Sequence, residues 1–306
     1  MSSVPNLFNH ALLAKRRARA LARPDMFADA DFLRQTANLD VVERLGAVSR
    51  TFHNALNIDA PDATLTNQLL ASGQISQAEN STGFCDAKID APRTPHGQRL
   101  GEIKQNAATY DLITSVLSLH FSNDLPGTLI QIKRALVPDG LFLGALLGGD
   151  TLVELRQVLL QAEVEITGGA APRVLPFGEV RDMGALLQRA GFALPVADID
   201  TLTVRYSNPM RLLSDLRAMA STNILISGAK QPLRKDVLMR AMELYTANFA
   251  EADGKVPATF QIISLSGWVP HDSQQKPLKP GTANSRLADA LGVEEISTNR
   301  GTKSDS

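Results

Sequence analysis

Hydrophobic and polar positions alternate along the chain in a way that separates strand-like from helix-like segments. A buried-strand pattern begins residues 110–121, and helical spacing of apolar residues follows over 123–140. The next run, 141–149, consists of apolar residues and glycines and is too short for most helices, which predicts a strand buried on both faces. A strand, a helix and a second strand in this order predict a βαβ unit in a parallel sheet with a right-handed crossover.

The rest of the chain continues this alternation. Thr151 and Glu154 have the spacing of a capping box and predict the start of one of the helices. Taken together, the alternating strand and helix patterns predict an α/β fold, which is a doubly wound Rossmann-like sheet with helices before its first strand and a helical insertion before its last. Strand patterns cover residues 52–58, 74–80, 194–206 and 257–269, and helical patterns cover 29–48, 65–70, 151–168, 178–192, 208–220 and 232–249.

These elements divide the chain into three predicted parts. Residues 1–48 form an N-terminal helical extension, and residues 49–270 form the α/β domain, with its helical insertion at about 207–250. Residues 271–306 are polar and predict a C-terminal tail, with one short helical pattern at 286–291. Residues 81–108 are rich in glycine, proline, asparagine and threonine, which is typical of a loop.

The amino terminus carries an unusual charge. The first 24 residues contain no acid and five bases, a composition that fits a transit peptide or a nucleic-acid-binding arm. The alternative, which we favour, is an amphipathic first helix with Phe8, Leu12 and Leu13 on one side and the bases in its last turns. The five bases are Lys15, Arg16, Arg17, Arg19 and Arg23.

Composition excludes several classes of protein. Lysine and arginine (31) nearly balance aspartate and glutamate (32), so the chain lacks the broad positive field that non-specific nucleic-acid binding needs. Cys85 is the single cysteine, which excludes an intrachain disulfide and a cysteine-rich metal site, and we treat it as inert. The five histidines show no metal-binding spacing. The longest apolar run is about half the length that a membrane helix requires, so no transmembrane segment is predicted.

Polar residues at the predicted carboxyl ends of the first two strands are candidates for a cofactor site. A nucleoside site needs glycines after the first strand so that backbone and ligand can approach closely, but residues 57–63 contain none. Asn57 and Asp59 stand there instead. Glu79 ends the second strand, where a carboxylate can accept hydrogen bonds from ribose hydroxyls, and its alternative is a solvated loop glutamate.

Four further residues are candidates for a substrate pocket: His120, Asp124, Asp150 and His271. His120 follows the strand in residues 110–121 and can act as an acid or a base, or be a satisfied histidine next to a helix capped by Asp124. Asp150 follows two glycines at the end of the next strand, where it can present a carboxylate to a ligand. The alternative interpretation is that Asp150 is the N-cap of the following helix. His271 follows the last strand and is a candidate to line the same pocket. An ordinary polar residue at the end of a strand explains it equally well.

Residues 110–157 resemble the class I S-adenosylmethionine-dependent methyltransferases. More narrowly, the chain is similar to the NADH:ubiquinone oxidoreductase complex assembly factor 5 family and its α-proteobacterial relatives, from about residue 7 to 292. The segments that carry the likeness are LSLHFSND, ALVPDGLFLGALLGGDTL, LPFGEVRD, QRAGF, VPATFQI and GWVPHDSQQKP.

This resemblance implies a seven-stranded methyltransferase sheet and S-adenosyl-L-methionine as the cofactor. It implies that Asn57, Asp59, Glu79 and Leu117 border that cofactor, and that the substrate is a protein or a small molecule. The family's role implies a respiratory complex I subunit or assembly intermediate as partner, and its mitochondrial member implies a protein arginine as a substrate class. The basic N-terminus fits the family's leading helix, which favours bacterial cytoplasm over the mitochondrial matrix.

The chain departs from the family at the cofactor loop. The family's first-strand pattern resembles D-x-G-x-G-x-G, whereas Asn57 takes the acid position here and Asp59, Pro61 and Ala63 take the glycine positions. Side chains and fixed proline geometry then stand where the methionine part of the cofactor would lie. Three hypotheses follow: a methyltransferase, a catalytically degenerate assembly or binding protein, and a protein-arginine hydroxylase on the same fold.

Overall fold

The computed structural model describes residues 6–81, 108–228 and 232–274. The chain divides into two compact units, Met1–His271 and Asp272–Ser306, and the first contains every helix and strand named below. Cys85, most of the predicted loop at 81–108 and the short helix predicted at 286–291 lie outside the described residues.

The described residues form six strands and nine α-helices. The strands are β1 (Phe52–Ile58), β2 (Ile75–Ser81), β3 (Tyr110–Val116), β4 (Leu136–Leu147), β5 (Ala193–Tyr206) and β6 (Val256–Trp268). The helices are α1 (His10–Leu21), α2 (Pro24–Ala30), α3 (Phe32–Gly46), α4 (Thr64–Ala71), α5 (Leu125–Ala135), α6 (Val153–Thr167), α7 (Val180–Ala190), α8 (Pro209–Ala218) and α9 (Lys235–Phe249).

One sheet joins the six strands in the order β2-β1-β3-β4-β6-β5. Strands β1 to β4 pair in parallel, whereas β6 runs antiparallel to both of its neighbours, β4 and β5. The parallel pairing of β3 with β4 across α5 confirms the predicted βαβ unit, and the α/β sheet confirms the fold class. The expected number of seven strands is wrong for the described residues. The described sheet ends at β2, and the segment that follows β2 is not described.

The boundary between α5 and β4 also differs from the prediction. The helix ends at Ala135 and the strand begins at Leu136, five residues earlier than the apolar pattern indicated. Val137 precedes Pro138, and a residue before proline is disfavoured in helical conformation. Pro138 is followed by an irregularity inside β4, where Asp139 has φ +62° and accepts a hydrogen bond from Arg50 Nη1 (2.7 Å).

The capping box predicted at the start of α6 is wrong, because both of its side chains bind β6. The backbone N–H of Gln261 donates to Thr151 Oγ1 (3.0 Å), and the backbone N–H of Thr259 donates to Glu154 Oε2 (3.1 Å). A long-range contact to a neighbouring strand has therefore replaced the local one. These bonds fasten the start of α6 to the sheet.

Helices cover both faces of the sheet. Helices α5 and α7 pack on one face through residues such as Ile132 and Leu187, and α3 and α4 pack on the other through Val41 and Leu69. Helices α6, α8 and α9 form a third apolar cluster with the end of β5 and the start of β6. No helix among the described residues is long and apolar enough to cross a membrane.

The amphipathic first helix is confirmed. Phe8 and Leu13 are buried, and the side-chain oxygen of Asn123 accepts hydrogen bonds from the backbone N–H groups of Leu7 and Phe8, each at 2.7 Å. The polar residue that follows β3 thus holds the segment leading into α1. This contact fixes α1 over the carboxyl edge of the sheet.

We expect Ile263→Ala to lower the free energy of unfolding by about 2–5 kcal/mol, because it removes a side chain that is 0% exposed in β6. Ile199 is its cross-strand partner in β5 but is 37% exposed. Ile199→Ala is therefore the matched control and should cost about 1 kcal/mol or less. Urea unfolding measures both; equal losses would contradict the assigned register and burial.

Candidate functional site

A small cavity lies at the carboxyl edge of the sheet, where ligands bind in doubly wound folds. Its volume is about 70 Å³, and we call it the edge cavity. The loops after β1 and β3, the end of β4 and residues 219–221 supply one side, and the N-terminal helices cover the other. Its lining includes Arg17, Phe27, Asp31, Arg34, Asp59, Pro61, Leu117, His120, Phe121 and Leu147.

Asp59 follows β1 and is held by the first helix. Its backbone is left-handed (φ +56°), a conformation that aspartate tolerates better than most residues. Its side chain is only 3% exposed and accepts a hydrogen bond from Arg17 Nη1 at 2.6 Å. The Arg17 guanidinium also lies 5.8 Å from the centroid of the Phe121 ring. A buried carboxylate that would be costly alone is therefore neutralised by a guanidinium from α1.

Arg34 of α3 makes a second ionic cluster beside the first. Its guanidinium donates to Asp62 Oδ1 (2.9 Å) and Oδ2 (2.8 Å), and its Nε donates to Asp31 Oδ1 (2.9 Å). Burial by itself lowers the pKa of Arg34, but the hydrogen bonds and charges of the two carboxylates outweigh it and raise that pKa. For Asp62, hydrogen bonds from Arg34 and Thr64 outweigh burial and lower the pKa.

This arrangement does not fit S-adenosylmethionine. Asp59 and Pro61 stand in the loop where a close approach of cofactor to backbone needs glycine. The guanidiniums of Arg17 and Arg34 pair with the acids of that same loop. The remaining 70 Å³ is far below the roughly 300 Å³ at which ligand pockets begin. Among the described residues, the edge cavity is therefore too small for the implied cofactor.

The four predicted cofactor residues do not come together. Asp59 and Leu117 line the edge cavity. Asn57 is buried inside the sheet, where its side-chain oxygen accepts a hydrogen bond from Thr114 Oγ1 (3.2 Å). Glu79 is exposed and its carboxylate forms a hydrogen bond with the side chain of Tyr110. The pKa of Tyr110 is raised, first by burial and then by this neighbouring carboxylate. Neither Asn57 nor Glu79 is among the residues that line the cavity.

His120 lies in a 3-10 turn, Leu119–Phe121, and lines the edge cavity. Its ring lies 4.1 Å from that of Phe121 and 5.6 Å from that of Phe177, measured between centroids. Its Nδ1 is buried without a hydrogen-bond partner among the described residues. Burial, and then the charge of Arg17, lower the pKa of His120 to about 3. The ring is therefore neutral at pH 7 and suits hydrogen bonding rather than proton donation.

The other three substrate-pocket candidates lie outside the edge cavity. Asp124 caps α5, and its Oδ1 accepts a hydrogen bond from Gly127 N at 2.9 Å. Asp150 is exposed and accepts a hydrogen bond from Gln261 Nε2 (3.1 Å), while Leu152 takes the N-cap position of α6. His271 is exposed beyond the end of β6.

The residues that close the edge cavity were missed by the sequence reasoning. A signal was present in the charges, since the first 24 residues are basic and the loop after β1 carries Asp59 and Asp62. Complementary charge alone does not say which arginine meets which acid. The lining residues not foreseen in this role are Arg17, Asp31, Arg34 and Phe121, and Asp62 was not foreseen as the partner of Arg34.

The parallel strands, the reversed β6 and the cavity at the carboxyl edge define a protein of the class I methyltransferase fold. Among solved structures, the YcgJ protein from Bacillus subtilis aligns with a TM-score of 0.48 and 12% identity, covering 78% of this chain and 99% of its own. No family model matches the chain.

Sequence comparison identifies the family within that class. The arginine-hydroxylase NDUFAF5, mitochondrial, of Danio rerio is 35% identical over 303 residues, which cover 96% of this chain and 92% of that protein. A malonyl-[acyl-carrier protein] O-methyltransferase of Gallionella capsiferriformans is 32% identical over 164 residues, covering 54% of each. The chain belongs to the NDUFAF5 family.

We expect the stability of the protein to depend on pH through His120. Its pKa is about 3 when folded and near 6.5 when unfolded, so between these values the unfolded chain binds the additional proton. The full contribution is present above pH 6.5 and is lost as the pH falls towards 3. This one group should remove roughly 2 kcal/mol of unfolding free energy between pH 7 and pH 5.

Urea unfolding of His120→Asn at these two pH values measures this contribution, because the variant should lack that part of the pH dependence. His53→Asn, at an exposed histidine of β1, is the matched control and should behave as the wild type. An unchanged pH dependence in His120→Asn would contradict the burial of this ring.

Proposed function

We propose that this protein is a catalytically degenerate member of its family that acts in respiratory complex I assembly by binding a partner, without S-adenosylmethionine. The Arg17–Asp59 pair carries this proposal, because it fills the place that a cofactor would need. The Arg34 cluster supports it, because it holds the rest of the loop after β1 against α3. Within the described residues the edge cavity leaves no room for the methyl donor, so the proposed role is binding and not methyl transfer.

Family membership supports a proposed partner, and the first helix supports a proposed compartment. We assign a complex I subunit or an assembly intermediate as the partner, in keeping with the family's role. We assign the bacterial cytoplasm as its location, because the basic N-terminal residues form α1, which fits the family's leading helix. The mitochondrial matrix is the alternative, in line with relatives whose names include mitochondrial.

Isothermal calorimetry with S-adenosylhomocysteine tests the absence of cofactor binding. At about 1 mM ligand we expect no saturable heat from the full chain, because the edge cavity is too small and its acids are already paired. A methyltransferase known to bind the ligand serves as the positive control. A saturable isotherm with a dissociation constant below this concentration would restore the methyltransferase hypothesis.

Deletion of the gene tests the assembly role. We expect less assembled complex I in the deletion strain and recovery when the wild-type gene is returned. Mass spectrometry of complex I subunits from both strains should show no loss of a methyl group or an added oxygen on arginine. Normal complex I after deletion would refute the assembly role, and a lost arginine modification would refute degeneracy.

A second candidate function is recognition of a partner's arginine at the edge cavity. The observation that favours it is the way the chain holds its own Arg17: Asp59 binds the guanidinium, Phe121 offers a ring face, and His120 borders the same space. Carboxylates and aromatic rings are the groups that bind guanidinium ions in proteins. Relatives carry the name arginine-hydroxylase. Our proposal concerns binding alone, since hydroxylation also requires an oxidant.

Arg17→Ala should open this guanidinium site. We expect the variant to bind N-acetyl-argininamide at least about tenfold more tightly than the wild type, because a bond to a charged group contributes 1.5–3 kcal/mol. Arg19→Ala, on the same helix without an ion pair among the described residues, is the matched control. Addition of Asp59→Asn should abolish the gain. Equal binding of the neutral citrulline analogue to Arg17→Ala would contradict guanidinium recognition.

A further inference from the structure

A second, larger cavity lies away from the edge of the sheet, among the helical additions. Its volume is about 470 Å³, within the range typical of ligand pockets, and we call it the leucine cavity. Helices α1, α6, α8 and α9 supply its aliphatic wall, and Ser221 is the one lining residue that it shares with the edge cavity. The leucines of its wall are Leu12, Leu152, Leu155, Leu159, Leu175, Leu213, Leu216, Leu225, Leu233 and Leu238.

A basic groove adjoins the leucine cavity. Its volume is about 610 Å³, and four arginines line it: Arg16 and Arg19 of α1, Arg23 before α2, and Arg217 of α8. We call it the arginine groove. Arg16 and Arg217 also line the leucine cavity, together with Thr222, so the two spaces meet at these side chains. No aspartate or glutamate among the described residues lines either space.

The positive charges of this groove are not neutralised within the described chain. Arg19, Arg23 and Arg217 form no ion pair with a described carboxylate, in contrast to Arg17 and Arg34 nearby. Such a local excess of charge is unusual in a chain whose net charge is −1.

Arg16 is held in place by the backbone. Its Nη1 donates to the carbonyl oxygens of Asn223 (2.6 Å) and Thr222 (3.1 Å). Burial, and then the charge of Arg19, lower the pKa of Arg16. The like charges of Arg16 and Arg19 therefore lie close together along the arginine groove, and an anion there would relieve their repulsion.

We propose that the leucine cavity and the arginine groove together bind a single-chain anionic phospholipid. Its acyl chain would lie in the leucine cavity, because burial of its methylene groups away from water is favourable. Its phosphate would lie between Arg16 and Arg217, with Arg19 and Arg23 on the outer side, because arginine matches phosphate geometry and keeps its charge. An acidic peptide would satisfy the arginines but would leave the aliphatic cavity unfilled. This inference goes beyond the proposed function and does not depend on it.

Binding of 1-oleoyl-lysophosphatidic acid to the full chain tests the proposal, measured by calorimetry below the micelle-forming concentration. We expect it to bind at least about tenfold more tightly than 1-oleoyl-glycerol, which has the same chain and no phosphate. The affinity should fall as the salt concentration rises. Equal binding of the two lipids, or no binding of the phosphate lipid, would overturn the proposal.

Variants separate the headgroup from the acyl chain. Arg217→Glu should weaken binding of the phosphate lipid at least about tenfold, whereas Arg181→Glu, at an exposed arginine of α7 outside the groove, should leave it unchanged. Leu213→Trp should fill the leucine cavity and remove binding of both lipids, with circular dichroism to verify folding.

An acidic peptide provides the remaining arm of the test. A poly-glutamate peptide that binds the wild type and is displaced only by salt, while neither lipid binds, would assign the groove to a protein partner and overturn the lipid proposal. Loss of lipid binding in Arg181→Glu equal to that in Arg217→Glu would also overturn it.

Discussion

The neutralisation of one buried carboxylate determines how the N-terminal helices meet the sheet. Asp59 is 3% exposed at the end of β1, and a charge in such a place is costly unless it is paired. Its partner, Arg17, comes from α1, so the first helix must lie across the carboxyl edge of the strands. Two further contacts fix the same arrangement. Asn123 binds the segment that leads into α1, and Arg34 of α3 pairs with Asp62 in the loop after β1. The N-terminal extension is thereby part of the α/β unit.

This constraint links the unusual loop to the proposed loss of cofactor use. An acid in place of a glycine would merely weaken a cofactor site if it faced open space. Here Asp59 and Asp62 have cationic partners on α1 and α3, so the loop is stabilised in its closed form. Opening the edge cavity would separate two partly buried ion pairs and leave their charges unpaired. Binding of a ligand there would have to compensate for the free energy of separating these ion pairs.

Helix α1 serves two surfaces because neighbouring residues on a helix point in different directions. Arg17 points to the sheet edge, whereas Arg16 and Arg19 border the arginine groove. At about 100° per residue, a run of consecutive bases cannot face a single partner. The basic N-terminus is therefore divided between closing the fold and presenting charge beside the leucine cavity.

The sequence by itself determined the elements whose causes are local. The βαβ unit at 110–149, the amphipathic first helix and the missing glycines after β1 were all visible in the order of the residues. The similarity of long motifs also indicated the family. Asp124 was correctly predicted to be able to cap α5, because a cap depends on residues three positions away.

Only the tertiary structure decided which distant side chains meet. Arg17 and Asp59 are 42 residues apart, and Arg34 and Asp62 are 28 apart, so several pairings were equally compatible with the charges. Glu154 was expected to cap its own helix and instead binds β6, 105 residues away. Local spacing fixes helices and strands because their hydrogen bonds are local. Ion pairs and cavities depend on how those elements pack, and packing sums contacts over the whole chain.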